Sequence, residues 1–597
     1  MIRINCKIIP AFLIFILMIF SCSLSDKYDI IIINGTILDG TGAEAYTADI
    51  GIRWNKIAAI GDLKNERAWK VVDAQGLYVS PGFIDVNGGS GIGLLGDGTV
   101  KSKISQGITS VIFAGDDIPA PIKNKSRAYY TRVLRTEGID NIPWRTVGDF
   151  LDFIADRGTA VNVGTYSGMA QIKRSVLGLE DNTPNNFDQN GEVFTLVEQA
   201  FRDGAFGMSA DFTSTKSAYF QTPEIAIMYG RRTLQYGQKL AIRLRFENEA
   251  IYNSLGEIGY IIAEENVDLE ILGMKLINTE KVELLNPVIE RIESFNEEGY
   301  NISANIISSP YFYGSLLDIF PRDIKYKGWY GLQQDLENPN RYRIIDEEFK
   351  KSYSNWENIL QDWKNIRVIG ADNNSNQSII GKTLFEILGN TRNPYAALSR
   401  LILSEEREIP VQIESVNTDA VRKLLLLPWT TIGSGTDSYN GNIVSEDGNI
   451  SYLYSSYYPG TIGVFGRDEK VIPLEDMIHK ITGLSAANAG ILDRGTIQKG
   501  ALADITIFDL ESLPGSFIPM VSNGADTGIR YTIVNGTVVY DRGNFSGKKP
   551  GRIIFGQSRN RSEQEIGKIK NTRVQESRVF ADKTIEMREA RRKRLRK

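Results

Sequence analysis

The chain has 597 residues, 42% of them hydrophobic and 24% charged, with a formal net charge of -5. That length supports one large domain and a smaller one, since single cores rarely grow past about 250 to 300 residues outside barrel folds, and it excludes a short binding module. The ordinary balance of apolar and charged residues excludes wholesale disorder, and nothing in it marks a nucleic-acid protein.

Arg3 and Lys7 precede an apolar run from Ile8 to Phe20 that is too short to span a bilayer comfortably, so residues 1–22 read as a signal peptide. The run ends in Ile19-Phe20-Ser21-Cys22, which resembles the lipobox of bacterial lipoproteins. That resemblance implies an acylated Cys22 as the first mature residue and a lipid anchor in the bacterial cell envelope, with an outer-membrane site compatible with Ser23. Cys6 leaves with the signal, so the mature chain has neither a disulfide nor a cysteine nucleophile. His479 is the only histidine. A site needing two imidazoles is therefore excluded, and a serine triad has only His479 as its base.

Residues 27–80 alternate apolar and polar positions in short runs broken by Asn34-Gly35, Asp39-Gly40 and Gly61-Asp62, which predicts hairpins. The same pattern returns over residues 490–555, where Asn535-Gly536-Thr537 echoes Asn34-Gly35-Thr36. One small β-sandwich domain formed from both chain ends is expected. Between them, residues 81–489 alternate apolar runs with helical windows. The runs are Ser110–Phe113, Ala160–Val163, Leu240–Leu244, Leu269–Leu272, Asn301–Ile306, Val368–Ile369, Val411–Ile413 and Thr430–Ile432; the helical windows include Val193–Asp203, Thr222–Tyr236 and Leu474–Thr482. About eight such alternations predict an α/β fold with a closed (β/α)8 TIM barrel, a doubly wound open sheet being the alternative. His479 falls on an amphipathic helix, where a structural role is expected.

Several ordered motifs resemble the amidohydrolase superfamily: Pro81-Gly82-Phe83-Ile84-Asp85-Val86, Gly107-Ile108-Thr109-Ser110-Val111, Gly204 to Ser209, and Asp493 to Ile497 before Gly500 to Asp504. Val534-Asn535-Gly536 with Pro550-Gly551-Arg552 is similar to the ending of its N-acyl-D-amino-acid deacylase (D-aminoacylase) branch. The resemblance covers residues 28 to 550 and implies zinc-assisted hydrolysis of a non-peptide C–N bond. It also implies where ligands belong, and there the chain departs. Asn87 and Gly89 stand where the family has His-x-His, Asp116 in place of a ligand cysteine, and Arg243 and Gly273 in place of two further histidines.

From these replacements no cofactor is expected, and an inactive member of the family, a pseudoenzyme, is the corresponding reading. The family's catalytic aspartate maps to Asp437 if two residues are inserted, or to Gly435 if not. A carboxylate-only site of Asp85, Asp116 and Asp437 for a hard cation is a separate possibility, as is a carboxylate pair of Asp437 with Glu247 or Asp116. Alternatively, Arg243 and Lys275 neutralise the acidic groups directly. Lys275 is the expected holder of a substrate carboxylate, with nucleophilic use as the other option. Two functions stay open: a hydrolase of acyl D-amino-acid-like substrates, degenerate in its metal site, or a silent binding or scaffold lipoprotein holding an anionic small molecule through Arg243 and Lys275. The segment 556–597 has 14 basic and 6 acidic residues; a solvated terminus or contact with anionic lipid is expected of it, and no nucleic acid.

Overall fold

The computed structural model describes residues 27–559 and 565, apart from 117, 136, 179–186, 213–222, 265–266, 321–327, 348–361, 372, 390–393, 406–407, 437–456 and 518–525. Cys22, Asp437 and nearly all of the basic tail lie outside the described residues.

The chain enters through strands β1 (Tyr28–Ile37), β2 (Tyr46–Arg53), β3 (Lys56–Gly61), β4 (Ala68–Asp73) and β5 (Tyr78–Pro81). The isoleucine run of β1 explains its central place. Ile30, Ile32 and Ile37 enter one core with Ile50, Ile52 and Val72, while Tyr28 and Ile31 pack with Leu63 in another. A strand apolar on both faces belongs inside a sheet. Accordingly β1 pairs with β2 along one edge and with β4 and β5 along the other.

Next come β6 (Phe83–Asp85), β7 (Ile108–Phe113), β8 (Asn162–Thr165), β9 (Ser167–Gly168), β10 (Gly207–Asp211), β11 (Lys239–Arg243), β12 (Leu269–Met274) and β13 (Ile302–Ile306). β8 and β9 are halves of one line interrupted at Tyr166. The expected runs Val368–Ile369 and Val411–Ile413 are not barrel strands. They belong to an antiparallel sheet of β14 (Tyr311–Ser315), β15 (Ile366–Val368) and β16 (Pro410–Glu414). This insertion has its own core of Leu316, Phe320, Trp363, Leu398 and Val411. Length and apolarity alone do not distinguish a strand buried in one core from a strand buried in another.

The barrel resumes with β17 (Thr430–Ile432), which pairs with β13. Counting β8 and β9 as one, eight strands run parallel in the order β6, β7, β8/β9, β10, β11, β12, β13, β17. The seam between β17 and β6 is bridged just beyond the strand ends. The Gly435 N–H donates to Asn87 O (2.9 Å), the Ser434 N–H to Asp85 Oδ1 (3.0 Å), and the Tyr458 hydroxyl to Ile432 O (3.1 Å). The expected TIM barrel is the fold found.

The chain then returns as β18 (Ile505–Phe508), β19 (Ile529–Val534), β20 (Thr537–Asp541) and β21 (Asn544–Phe545), and β18 pairs with β5 to complete a nine-stranded sheet from both ends. Motif residues form the joint between sheet and barrel. Asp504 takes the Asn535 N–H (2.6 Å), the Asn162 amide (2.9 Å) and the Arg494 guanidinium, all buried. His479 adds a second joint, its Nδ1 donating to Gly40 O at 2.7 Å.

Lys103 also ties the seam: its ammonium reaches across to Ser434 Oγ and Thr436 O, both at 2.9 Å, while it neutralises Asp85 Oδ2 on its own side at 2.8 Å, with both charged side chains almost fully buried. Lys103→Met leaves that carboxylate without its cation, so a loss of about 3–5 kcal/mol in unfolding free energy is expected by urea denaturation. A loss within experimental error of zero would remove the seam from the explanation of the fold.

Candidate functional site

In a parallel barrel the chemistry gathers where the strands end at their C-terminal side. Asp85 closes β6 and is 0% exposed. Its Oδ2 accepts from Lys103 Nζ and from the Ser434 hydroxyl (2.6 Å), and its Oδ1 from the Ser434 and Asn87 N–H groups. Lys103 Nζ also reaches Ser434 Oγ and Thr436 O, both at 2.9 Å. The charge is thus surrounded by oxygen, which is what makes its burial tolerable.

Beside this group, the replaced positions Asn87 and Gly273 are joined through one residue. Asn305 Oδ1 accepts from Asn87 Nδ2 (3.1 Å) and from the Gly273 N–H (2.8 Å), while its own amide donates to Glu270 (2.9 Å). Gly273 has φ +61, and a side chain there would be strained. Gly89 contributes backbone only, its carbonyl accepting from the Gly115 N–H (3.0 Å). Asp116 Oδ1 accepts the Ala170 N–H (2.9 Å) in the first turn of the helix Met169–Leu177.

A charged quartet occupies the next sector. Glu247, 2% exposed at its side chain, takes Lys275 Nζ at 2.6 Å and Arg243 Nη2 at 3.1 Å. Arg243 Nη1 also lies 3.6 Å from Asp211 Oδ2. Two cations and two carboxylates leave the quartet neutral in formal charge. Lys275 is fully enclosed, whereas the Arg243 and Asp211 side chains are 25% and 26% exposed, so these two form its outer layer. Burial and then the Arg243 charge push the Lys275 ammonium down to about 8, against the pull of Glu247. Burial alone would raise the Glu247 carboxyl; Arg243 and Lys275 together leave it lowered.

Arg243, Lys275 and Glu247 are therefore brought together, and Asp85 and Asp116 are engaged in separate hydrogen bonding. Among the described residues no three His, Cys, Asp or Glu side chains are placed to hold a metal ion. The expected Asp85–Asp116–Asp437 site is not assembled by its two described members, and Asp437 lies outside the described residues. Sequence reasoning missed Lys103, Ser434, Asn305 and Asp211. Asn305 had a signal, an amide inside the apolar run Asn301–Ile306; Lys103 had none beyond its place before Gly107.

Comparisons with known proteins agree with the fold. A profile of the Amidohydrolase family matches residues 402–540. The chain is 25% identical to a D-aminoacylase of Alcaligenes xylosoxydans xylosoxydans over 89% of this chain and 98% of that protein. It is 24% identical to an N-acyl-D-aspartate deacylase of the same organism, over 88% and 95%. A D-aminoacylase structure with a binuclear metal center superposes with a TM-score of 0.69 at 23% identity, covering 89% of this chain and 100% of that one. An N-acyl-D-glutamate deacylase from Bordetella bronchiseptica, complexed with zinc and a phosphonate inhibitor, gives 0.70 at 21%, with coverage of 89% and 100%.

These structures correct the expectation of no cofactor. The scaffold is one on which a metal centre sits, and a missing imidazole does not exclude a metal, because carboxylate, amide and carbonyl oxygens also ligate. The side chains at the compared positions nevertheless do not fit a zinc site built on histidine and cysteine: Asn87 and Gly273 are bonded through Asn305, Gly89 has no side chain, and Arg243 brings a positive charge.

The quartet makes a titration testable. Between about 8 and 10.5 the unfolded chain carries the Lys275 proton and the folded chain does not, so this site's contribution to stability rises with pH across that window and is lowest below it. Unfolding free energies of the wild type and Lys275→Met, compared from pH 8 upward, are expected to diverge in the wild type's favour. A constant difference would mean that the lysine titrates normally.

Proposed function

We propose that this chain, similar in sequence to D-aminoacylases along most of its length, is an envelope lipoprotein whose barrel mouth holds an anionic ligand resembling an N-acyl-D-amino acid, with hydrolysis of the D-aminoacylase kind degenerate. The observation that carries the reading is Arg243, fixed by Glu247 and Asp211 at the end of β11 and one quarter exposed. A guanidinium offers a carboxylate two parallel N–H donors, and a partly desolvated one binds it more tightly than an exposed lysine does. Lys275 supports it from behind, enclosed with Glu247 at 2.6 Å. Its engagement with Glu247 favours a fixed charge over a nucleophile, which needs a free amine.

Degeneracy is supported by the same sector, since a guanidinium repels a cation at the position where the branch has a histidine. What the chain's own residues do is orient: Glu247 and Asp211 hold Arg243, and Asn305 holds Asn87 and the backbone at Gly273. The lipoprotein part is supported by Cys22 at the end of the apolar leader.

Calorimetric titration with N-acetyl-D-glutamate and N-acetyl-D-leucine is expected to show binding that Arg243→Met weakens roughly tenfold or more. The same samples assayed for release of free amino acid, with and without zinc, are expected to show no zinc-stimulated turnover. Rapid turnover on zinc addition overturns the degeneracy; absence of binding to any N-acyl amino acid overturns the ligand class. For the anchor, Cys22→Ser is expected to move the protein out of the detergent phase on phase partitioning, and unchanged partitioning overturns the lipoprotein reading.

A further inference from the structure

The end of the nine-stranded sheet at which the described chain begins carries large apolar side chains in solvent. Trp54 is 76% exposed, Trp69 81% and Val71 55%. Tyr28 stands opposite Ala68, and Ile30 stands opposite Lys70 on one side and Ile52 on the other. That register puts Arg53 and Trp69 on the two flanks of Asp29, roughly 10 Å apart across β1 at the usual strand spacing. The Trp54 N–H donates to the Asp29 carboxylate, and the Arg53 guanidinium lies 5.2 Å from the Trp54 ring centre. Both tryptophans therefore flank the first residues of the sheet.

Neither ring is there for the fold. Trp54 sits in the β2–β3 turn with φ +55, a left-handed backbone that bulky residues disfavour, and most of its surface is open. Such an outlier points toward function rather than packing. The local charge is also distinct. Residues 53–71 contain Arg53, Lys56, Lys64, Arg67 and Lys70 against Asp62 and Glu66; of these Lys70 alternates with Trp69 and Val71 onto the other face of β4 and meets Asp541 at 3.0 Å, while Asp29 lies beside Trp54. Exposed indoles with surrounding cations suit the headgroup layer of an anionic bilayer, where the ring's apolar body is buried and its N–H stays wet.

Chain length selects that occupant. Residue 27 follows Cys22 by five residues, which span at most about 18 Å fully extended. A lipid on Cys22 thus keeps the start of β1 within that distance of the membrane, and Trp54, Arg53 and Trp69 are beside the start of β1. One acyl anchor alone holds weakly, and a basic, aromatic patch is the second signal that makes attachment stable.

We propose that the sheet end formed by Trp54, Trp69 and Val71 with Arg53 and Lys56 is a docking face for an anionic bilayer surface. The proposal rests on the lipid anchor at Cys22. The test uses the mature lipidated protein reconstituted into phosphatidylethanolamine–phosphatidylglycerol vesicles, with and without brominated acyl chains that quench tryptophan on contact. The protein is expected to float with the vesicles and to show quenching that is lost in the Trp54→Tyr, Trp69→Tyr double variant. Flotation without quenching, or quenching that survives in the double variant, overturns the docking face and leaves the anchor standing. Protein that stays in the aqueous layer overturns both. A tryptophan-dependent dimer in detergent, seen by light scattering, would assign the face to a second copy of the chain and overturn the proposal.

Discussion

A parallel barrel closes only if its last strand reaches its first, and here both are three residues long. Strands that short offer few main-chain hydrogen bonds to each other, so the seam depends on the Asp85 carboxylate. That group spans from β6 to the Ser434 backbone and hydroxyl, and Lys103 neutralises it from the helical turn that follows β6. The desolvation cost of two buried charges is offset because the oxygens and N–H groups around them are satisfied. The mouth inherits its geometry from this tie, since Ser434 and Gly435 bring the β17 end against Asn87, and Asn87 leads through Asn305 to Gly273.

The mouth is therefore organised by hydrogen bonds among the chain's own side chains. Amides join β6, β12 and β13, while salt bridges join β10, β11 and the segment after β12. The two kinds of contact differ in consequence. An amide network is neutral and fixes positions. The Arg243–Glu247–Lys275–Asp211 quartet balances charge internally and puts one cation and one anion in its outer layer. D-aminoacylases of the same fold carry a metal centre, and the positions compared with its ligands are here joined to one another or positively charged.

How much of this was legible in sequence follows from what each residue had to satisfy. β7, β11, β12 and β13 were readable because buried parallel strands are nearly all apolar, and the two-ended β-domain was readable from repeated turn chemistry. β10 was recognised only as a motif, since Gly207-Met208-Ser209-Ala210-Asp211 is mostly small residues; a Cβ on Gly207 would meet Lys239 O at 1.9 Å, so close approach to β11 sets its composition. The insertion strands failed for the opposite reason, being apolar for a second core. At the site, Arg243 and Lys275 were found by their types and positions, but Lys103 was not, because nothing local distinguishes a lysine facing a buried carboxylate from one facing water. Asp504 and Asn535, read as family motifs, prove to be the joint between sheet and barrel.

That joint connects the two ends of the molecule mechanically. β1 is bonded along both edges in the middle of a nine-stranded sheet, so force applied at its N-terminus is resisted in shear by β2, β4 and β5 together. An edge strand would instead be peeled away one bond at a time. From β5 the load passes to β18, and through Asp504, Asn535 and Asn162 into the barrel. Since β2, β4 and β5 all precede the barrel, β1 is internal before the chain returns; the returning strands extend the sheet beyond β5 and give it its connection to the barrel. The return of the chain to the sheet after the barrel thus couples the two parts of the fold.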